Sequence, residues 1–303
     1  MNTQASMTGT AWLMMLALAA VWGGSFFFVE IALTEETPLT IVLHRVFWAL
    51  PVLGAVLWWK GLSVPRAPRL WGAYLVMGAL NNVIPFSLIV WGQKYLEGGL
   101  ASILNGMTAM FGAVVAGLLL ADERLTFGKV AGAVLGLAGV AVIIGPEALS
   151  GLDLRNLAQL AILGAGLSYA FASVWGKVSL KGMPPEVNAF GMLAGSTVWM
   201  VPLVLIFDGV PSFDYSAPVW ASLLGIAWLA TALAYLLYFG ILVRAGAANL
   251  MLVTLLVPPF AVGLGAAFLG ERLSPFAYAG FALIALGLAV TDGRVLRRFA
   301  PGR

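Results

Sequence analysis

The chain has 303 residues, 61% hydrophobic and only 10% charged, with a mean hydropathy of +0.99, whereas an ordinary soluble domain carries about 25% charged residues. Such a balance excludes a water-soluble globule and calls for a surface that faces lipid. With no cysteine and a single histidine, His44, disulfides and multi-ligand metal centres are excluded, so neither metal nor cofactor is expected; the net charge of +3 is dispersed in short gaps and offers no face for nucleic acid.

A helix that crosses the hydrocarbon core needs about 20 mostly apolar residues. The sequence predicts ten such spans: 11–32, 39–59, 70–92, 98–120, 125–145, 157–179, 187–207, 217–241, 248–270 and 274–292. The fold class is therefore an all-α integral membrane protein of ten transmembrane helices. Residues 1–10 contain no Lys or Arg, so the first run reads as a retained span and not a cleaved signal. Twelve of the sixteen basic residues fall on one side of these spans and four on the other, which predicts both termini in the cytoplasm.

Polar groups at bilayer depth face protein or water, so they mark the helices that line a path. Helix 1 offers Trp22 and Ser25 and ends near Glu30. Helix 2 opens with His44 and Arg45 on the outer side, where Glu30 contacts one of them to close the mouth or Arg45 snorkels to the interface. Helix 3 carries Asn81 and Asn82; successive helical residues point about 100° apart, so at most one faces the path squarely, and either is equally an interhelical bond. Helix 4 offers Asn105 and Thr108, helix 6 Ser168, Tyr169 and Trp175, helix 7 Ser196, Thr197 and Trp199, helix 8 Thr231 and Tyr235, and helix 9 Thr254.

Helices 5 and 10 are nearly bare of polar groups and read as scaffold. Gly128, Gly132 and Gly136 give helix 5 a face that admits another helix closely, within the chain or in a homodimer through helices 5 and 10. Trp58, Trp59, Trp71 and Trp220 fall at span ends as an aromatic belt, while Trp22, Trp175 and Trp199 lie deeper, where they would stack on a ligand. Pro258-Pro259 in helix 9 supplies a hinge. Gly263-Leu264-Gly265 lies within a span and is no dinucleotide fingerprint, and no carboxylate or histidine cluster points to an enzyme.

Shifting the chain against itself by 148 residues aligns Gly98 with Gly246, Glu123-Arg124-Leu125 with Glu271-Arg272-Leu273, Ala131-Gly132 with Ala279-Gly280 and Gly139 with Gly287. A shift of 147 pairs Leu33 with Leu180 and Pro38 with Pro185. The chain thus divides into halves at 1–146 and 147–303. Each holds five spans, an odd number, so the second enters the membrane from the opposite side. Inverted repeats recur in secondary transporters, with the substrate site near the midplane between the halves.

Trp22-Gly23, Arg45 with Phe47, the run Gly99 to Asn105, Asp122-Glu123-Arg124-Leu125 with its partner Gly270 to Leu273, and Pro258 appear in an order that resembles the drug/metabolite transporter superfamily, in its ten-helix form with two EamA-like halves. The resemblance covers nearly the whole chain. It implies a transporter of small solutes in the bacterial cytoplasmic membrane, most like the exporters of aromatic amino acids, with cationic drugs or other metabolites as the alternative cargo and a non-transporting scaffold or receptor as the alternative class. Trp22, Ser25, His44, Asn81, Asn82, Tyr169, Trp175, Trp199 and Tyr235 are the candidate substrate-binding residues. One departure stands out: members carry Thr-Pro in helix 4, and this chain reads Thr108-Ala109, which leaves the break in that helix open.

Overall fold

The computed structural model describes residues 8–120, 126–144, 154–238, 240–241, 244 and 253–292. Among these, ten helical rods follow one another: α1 Gly9–Ala32, α2 Pro38–Trp59, α3 Pro68–Gly92, α4 Gly98–Leu119, α5 Phe127–Ile144, α6 Leu154–Ser179, α7 Pro185–Phe207, α8 Ala217–Tyr238, α9 Val253–Leu264 continuing through Gly265–Leu269, and α10 Pro275–Asp292. Seven are long and apolar enough to cross a membrane, and three shorter apolar helices lie in α5, α9 and α10. Their starts are written locally. Thr8 caps α1 by accepting from Ala11 N at 3.2 Å, Thr37 caps α2, and a proline sits in the first turn of α2, α3, α7 and α8, where its missing N–H leaves no bond unmade. Glu123-Arg124-Leu125, Gly246 and the basic C-terminal segment lie outside the described residues.

The helix pairings repeat between the halves. The contact of α1 with α9 is matched by that of α6 with α4, the contact of α3 with α6 by α8 with α1, and the contact of α3 with α7 by α8 with α2. The pairs α2–α7, α4–α9 and α5–α10 map onto themselves. Exchanging α1–α5 for α6–α10 therefore maps these main pairings onto one another, as a two-fold relation between inverted halves requires.

The axis passes through the α5–α10 crossing. A Cβ on Gly139 would lie 2.7 Å from Gly280 O, and one on Gly287 would lie 2.5 Å from Gly132 O. The 148-residue shift exchanges these two contacts. Glycine lets the two backbones touch, so the small-residue face of α5 is taken by α10 of the same chain.

Four helices depart from regular α geometry, α9 among them through the π segment Gly265–Leu269 at its end. In α3 and α8 the segments Ala79–Val83 and Gly225–Leu233 widen into π turns at matching places in the two halves. Such turns occur often at functional sites. Helix α4 breaks at Gly106–Met107 despite its lack of proline: Gly106 N donates to Ile103 O at 3.0 Å and Met107 N to Leu104 O at 3.1 Å, tightening the turn. Its partner α9 carries Pro258 and Pro259 where it crosses α1, and a Cβ on Gly23 would lie 2.6 Å from Phe260 Cβ and 3.0 Å from Val257 O.

Two apolar clusters fill the bundle. One joins α1, α4, α6 and α9 with α10; the other joins α2, α7 and α8 with parts of α1 and α3. Tyr169 packs against both.

Candidate substrate site

Helix α2 begins at Pro38, so Arg45 lies seven residues in, about 10 Å along the axis at 1.5 Å per residue. At that depth its side chain turns into the bundle and is 8% exposed. Its Nε donates to Thr231 Oγ1 at 3.0 Å, Nη1 to Ser25 Oγ at 3.3 Å and Nη2 to Ala230 O at 3.5 Å. The guanidinium carbon stands 3.6 Å from the centre of the Phe86 ring, a cation–π contact. No described carboxylate pairs with it.

Two expectations are thereby corrected. Arg45 neither meets Glu30 nor snorkels, because its side chain points into the bundle toward Ser25 and Thr231. Glu30 instead receives the Gln93 amide at 3.4 Å, beside the start of α4. Close by, the Glu271 carboxylate accepts Gly98 N and Gly99 N at 3.1 Å each, so the repeated Glu-Arg-Leu motif of the second half caps a helix of the first.

One turn deeper, the two asparagines divide their work. Asn82 is fully buried and donates to Ser196 Oγ of α7 at 2.8 Å; that hydroxyl passes its own proton to Met192 O at 2.8 Å. Asn81 is half-buried and donates to Tyr235 Oη of α8 at 3.0 Å, while the phenol donates to Asn82 Oδ1 at 3.2 Å. Both asparagines sit in the π segment of α3, and Thr231 sits in that of α8 with its hydroxyl on Ile226 O at 3.0 Å. Aromatic walls flank these groups: Trp22 faces Tyr238 with ring centres 6.3 Å apart, and Tyr169 meets Phe86 edge-on at 6.4 Å. Trp22, Ser25, Asn81, Asn82, Tyr169 and Tyr235 thus converge with Arg45, Thr231, Phe86 and Tyr238, residues that were not on the list of candidates.

His44 stands apart from this cluster, toward the Glu30 end. Its Nδ1 accepts Trp48 Nε1–H at 2.9 Å, so the neutral ring carries its proton on Nε2, which lies 3.4 Å from Tyr215 Oη. Phe213, Tyr215 and Trp220 box the ring edge-on, so Trp220 serves this box and not a lipid belt. Tyr215 in turn donates to Glu36; burial and that carboxylate push its phenol above the usual range and keep it a donor. An acidic cleft of about 550 Å³ opens beside it, lined by Glu35, Glu36, Asp208 and Asp214. Thr37 and Thr40 donate to Asp208 across it, which clasps the α1–α2 turn to the α7–α8 turn.

The two deeper tryptophans are also placed elsewhere. Trp175 lies near the far end of α6 with its N–H on Ala73 O at 3.1 Å. Trp199 is 46% exposed on the same face of α7 as the exposed Ile206, with its N–H on Leu75 O at 3.1 Å. Neither joins the Arg45 cluster.

The profile of the EamA-like transporter family matches the chain twice, at residues 9–145 and 156–291. The uncharacterized transporter YoaV of Bacillus subtilis is 24% identical, over 93% of this chain and 97% of that one. A protein of Streptantibioticus cattleyicolor named "Probable terminal-alkyne amino-acid exporter" is 27% identical over 96% and 97%. An Escherichia coli protein named "Probable amino-acid metabolite efflux pump" is 26% identical over 91% and 92%. One solved crystal structure shares the fold, with a TM-score of 0.68 at 20% identity over 96% of this chain and 99% of that one. With both halves matched and the inverted ten-helix bundle built around a buried polar cluster, the chain belongs to the EamA-like transporter family and is a multi-pass membrane transporter, not an enzyme.

Proposed function

We propose that the chain exports aromatic or other neutral amino acids across the bacterial cytoplasmic membrane by alternating access, with both termini in the cytoplasm. The observation that carries this reading is the convergence of Asn81, Asn82 and Tyr235 with the rings of Trp22, Tyr238, Phe86 and Tyr169 at mid-helix depth, on helices from both halves. Amide and hydroxyl groups suit a zwitterionic head, and the rings suit an apolar side chain. Two relatives named as amino-acid exporters or efflux pumps support the same cargo. A buried guanidinium weighs against cationic drugs, since like charges repel strongly at low dielectric.

The halves 1–146 and 147–303 are the units that rock, and Pro258-Pro259 at the α1–α9 crossing is the hinge. The protein works as a monomer, or as a homodimer through the outer faces of α5 and α10, where Val134 and Leu286 are exposed.

Counterflow into proteoliposomes with labelled phenylalanine, tryptophan, leucine and a set of organic cations tests the cargo. Uptake of the amino acids supports the reading, and selective uptake of the cations defeats it. Single cysteines placed near each end of this cysteine-free chain would escape impermeant thiol reagent in intact cells; labelling from outside would reverse the orientation. Pro258→Ala lowers transport while thermal stability holds or rises, because a helix gains a bond when proline leaves it; full transport would remove the hinge.

A further inference from the structure

We propose that Arg45 is the residue that recognises the substrate's carboxylate, an assignment that rests on the reading of the polar cluster as the transport site. An arginine carries five N–H donors, and three of Arg45's are met, all by neutral acceptors: the Thr231 hydroxyl, the Ser25 hydroxyl and the Ala230 carbonyl. Two donors are left for a ligand. The acidic side chains at that end of α1, α2 and α7 are otherwise engaged, Glu30 with the Gln93 amide, Glu36 with Tyr215 and Asp208 with Thr37 and Thr40. A cation taken out of water without a countercharge is strongly disfavoured, and an ionisable residue kept at membrane depth marks a functional site whose partner is to be named.

Packing does not require the charge. Counted from the prolines that open α2 and α7, the residue equivalent to Arg45 is Met192, buried in the same pairing of helices. A thioether fills that place in the second half, so a guanidinium in the first half answers a need other than space. The fork geometry of arginine matches a carboxylate with two parallel bonds, and Phe86 over its face confines approach to the edge. Ser25 on α1 and Thr231 on α8 hold that edge from opposite halves, so the ligand would seat where the halves meet. A carboxylate is the chemistry that completes this arrangement, and a primary amine is the one it repels.

Four probes of one shape separate the contributions: L-phenylalanine, L-phenylalaninamide, phenethylamine and 3-phenylpropionate. Each is measured as a competitor of labelled phenylalanine counterflow and as a stabiliser of the purified protein against heat. The two acids are expected to compete and to protect, and the amide and the amine to do so at least ten-fold less well. Arg45→Gln is expected to raise the apparent KM for phenylalanine at least ten-fold and to erase the preference for acid over amide; Arg45→Lys, which keeps the charge without the fork, falls between. Equal action of acid and amide on the wild type overturns the proposal without any variant, and so does protection by neither acid. An unchanged KM in Arg45→Gln, with phenylalanine still carried, overturns the Arg45 assignment alone. Protection and competition by 3-phenylpropionate and other carboxylates with no transport of amino acids would instead defeat the amino-acid reading and leave Arg45 assigned.

Discussion

The two halves share a backbone plan and part company in their polar residues. Eleven residues before the matched Leu33 and Leu180, α1 and α6 both place an aromatic ring, Trp22 and Tyr169. Both α3 and α8 open into π turns at the same level. In α2 and α7 the likeness stops: His44-Arg45 in one stands against Gly191-Met192 in the other, where Gly191 makes room for the Tyr74 ring. A repeat specifies the path by symmetry, but a substrate has no such symmetry and must be read by residues that break it. Departures from the repeat are therefore where chemistry is to be sought.

The largest effect is expected from restoring the symmetry. Arg45→Met gives α2 the residue that α7 already holds. Export should fall more than ten-fold while the melting temperature in detergent holds or rises, since a guanidinium buried without a countercharge carries a desolvation cost that a thioether does not. Intact export with a lowered melting temperature would make Arg45 a structural strut and would end the contrast between the halves.

The axis itself gives the next effect. Gly139→Ala and Gly287→Ala each force a methyl against the opposite backbone, and overpacking of this kind costs about 1–3 kcal/mol. Because the repeat exchanges the two sites, thermal unfolding of the two variants should show equal losses. A large loss in one and none in the other would show that the α5–α10 crossing is not two-fold.

Spans, repeat and scaffold pair were legible in the sequence because each leaves a one-dimensional trace: runs of apolar residues, a fixed shift and a glycine spacing. The site was only half legible. Trp22, Ser25, Asn81, Asn82, Tyr169 and Tyr235 stood out as polar or aromatic groups at depth. Arg45 was misplaced at the mouth although the predicted span already began at 39, because the direction of its side chain depends on which face α8 covers. Nothing in residues 79–83 or 225–233 announces a wider turn, though successive residues diverge in it as they do in an α-helix: Asn82 turns to Ser196 of α7 and Asn81 to Tyr235 of α8. Trp175 and Trp199 lie outside the cluster for the opposite reason: depth along a helix is readable, but the face is not. The break in α4 passed from proline to Gly106, a change that proline counting misses. Comparison of Arg45 with Met192 at the 147-residue shift was the signal that could have singled out Arg45.

A smaller effect separates the neighbouring asparagines. Asn82→Ala removes the bond to Ser196 and should cost about 0.6–1.7 kcal/mol of stability, read from thermal unfolding. Asn81→Ala removes half-buried bonds to Tyr235 and to Asn82 Oδ1 and should act mainly on the apparent KM. Reversal of the two outcomes would put Asn82 in the path and Asn81 in the packing.

The smallest effect belongs to Trp199, and it decides whether α7 contributes a ring to the path at all. Its indole lies on the exposed face of α7 and spends its one donor on the Leu75 carbonyl of α3. In a lipid environment Trp199→Phe keeps most of the apolar contact and forfeits one bond, on the order of 1 kcal/mol. Transport of phenylalanine should keep its KM, whereas Trp22→Phe, at the equivalent of Tyr169 and facing Tyr238, should shift it. A KM raised as much by Trp199→Phe as by Trp22→Phe would mean that α7 turns this face inward during the cycle, and the line between the lining and lipid-facing helices would have to be redrawn through α7.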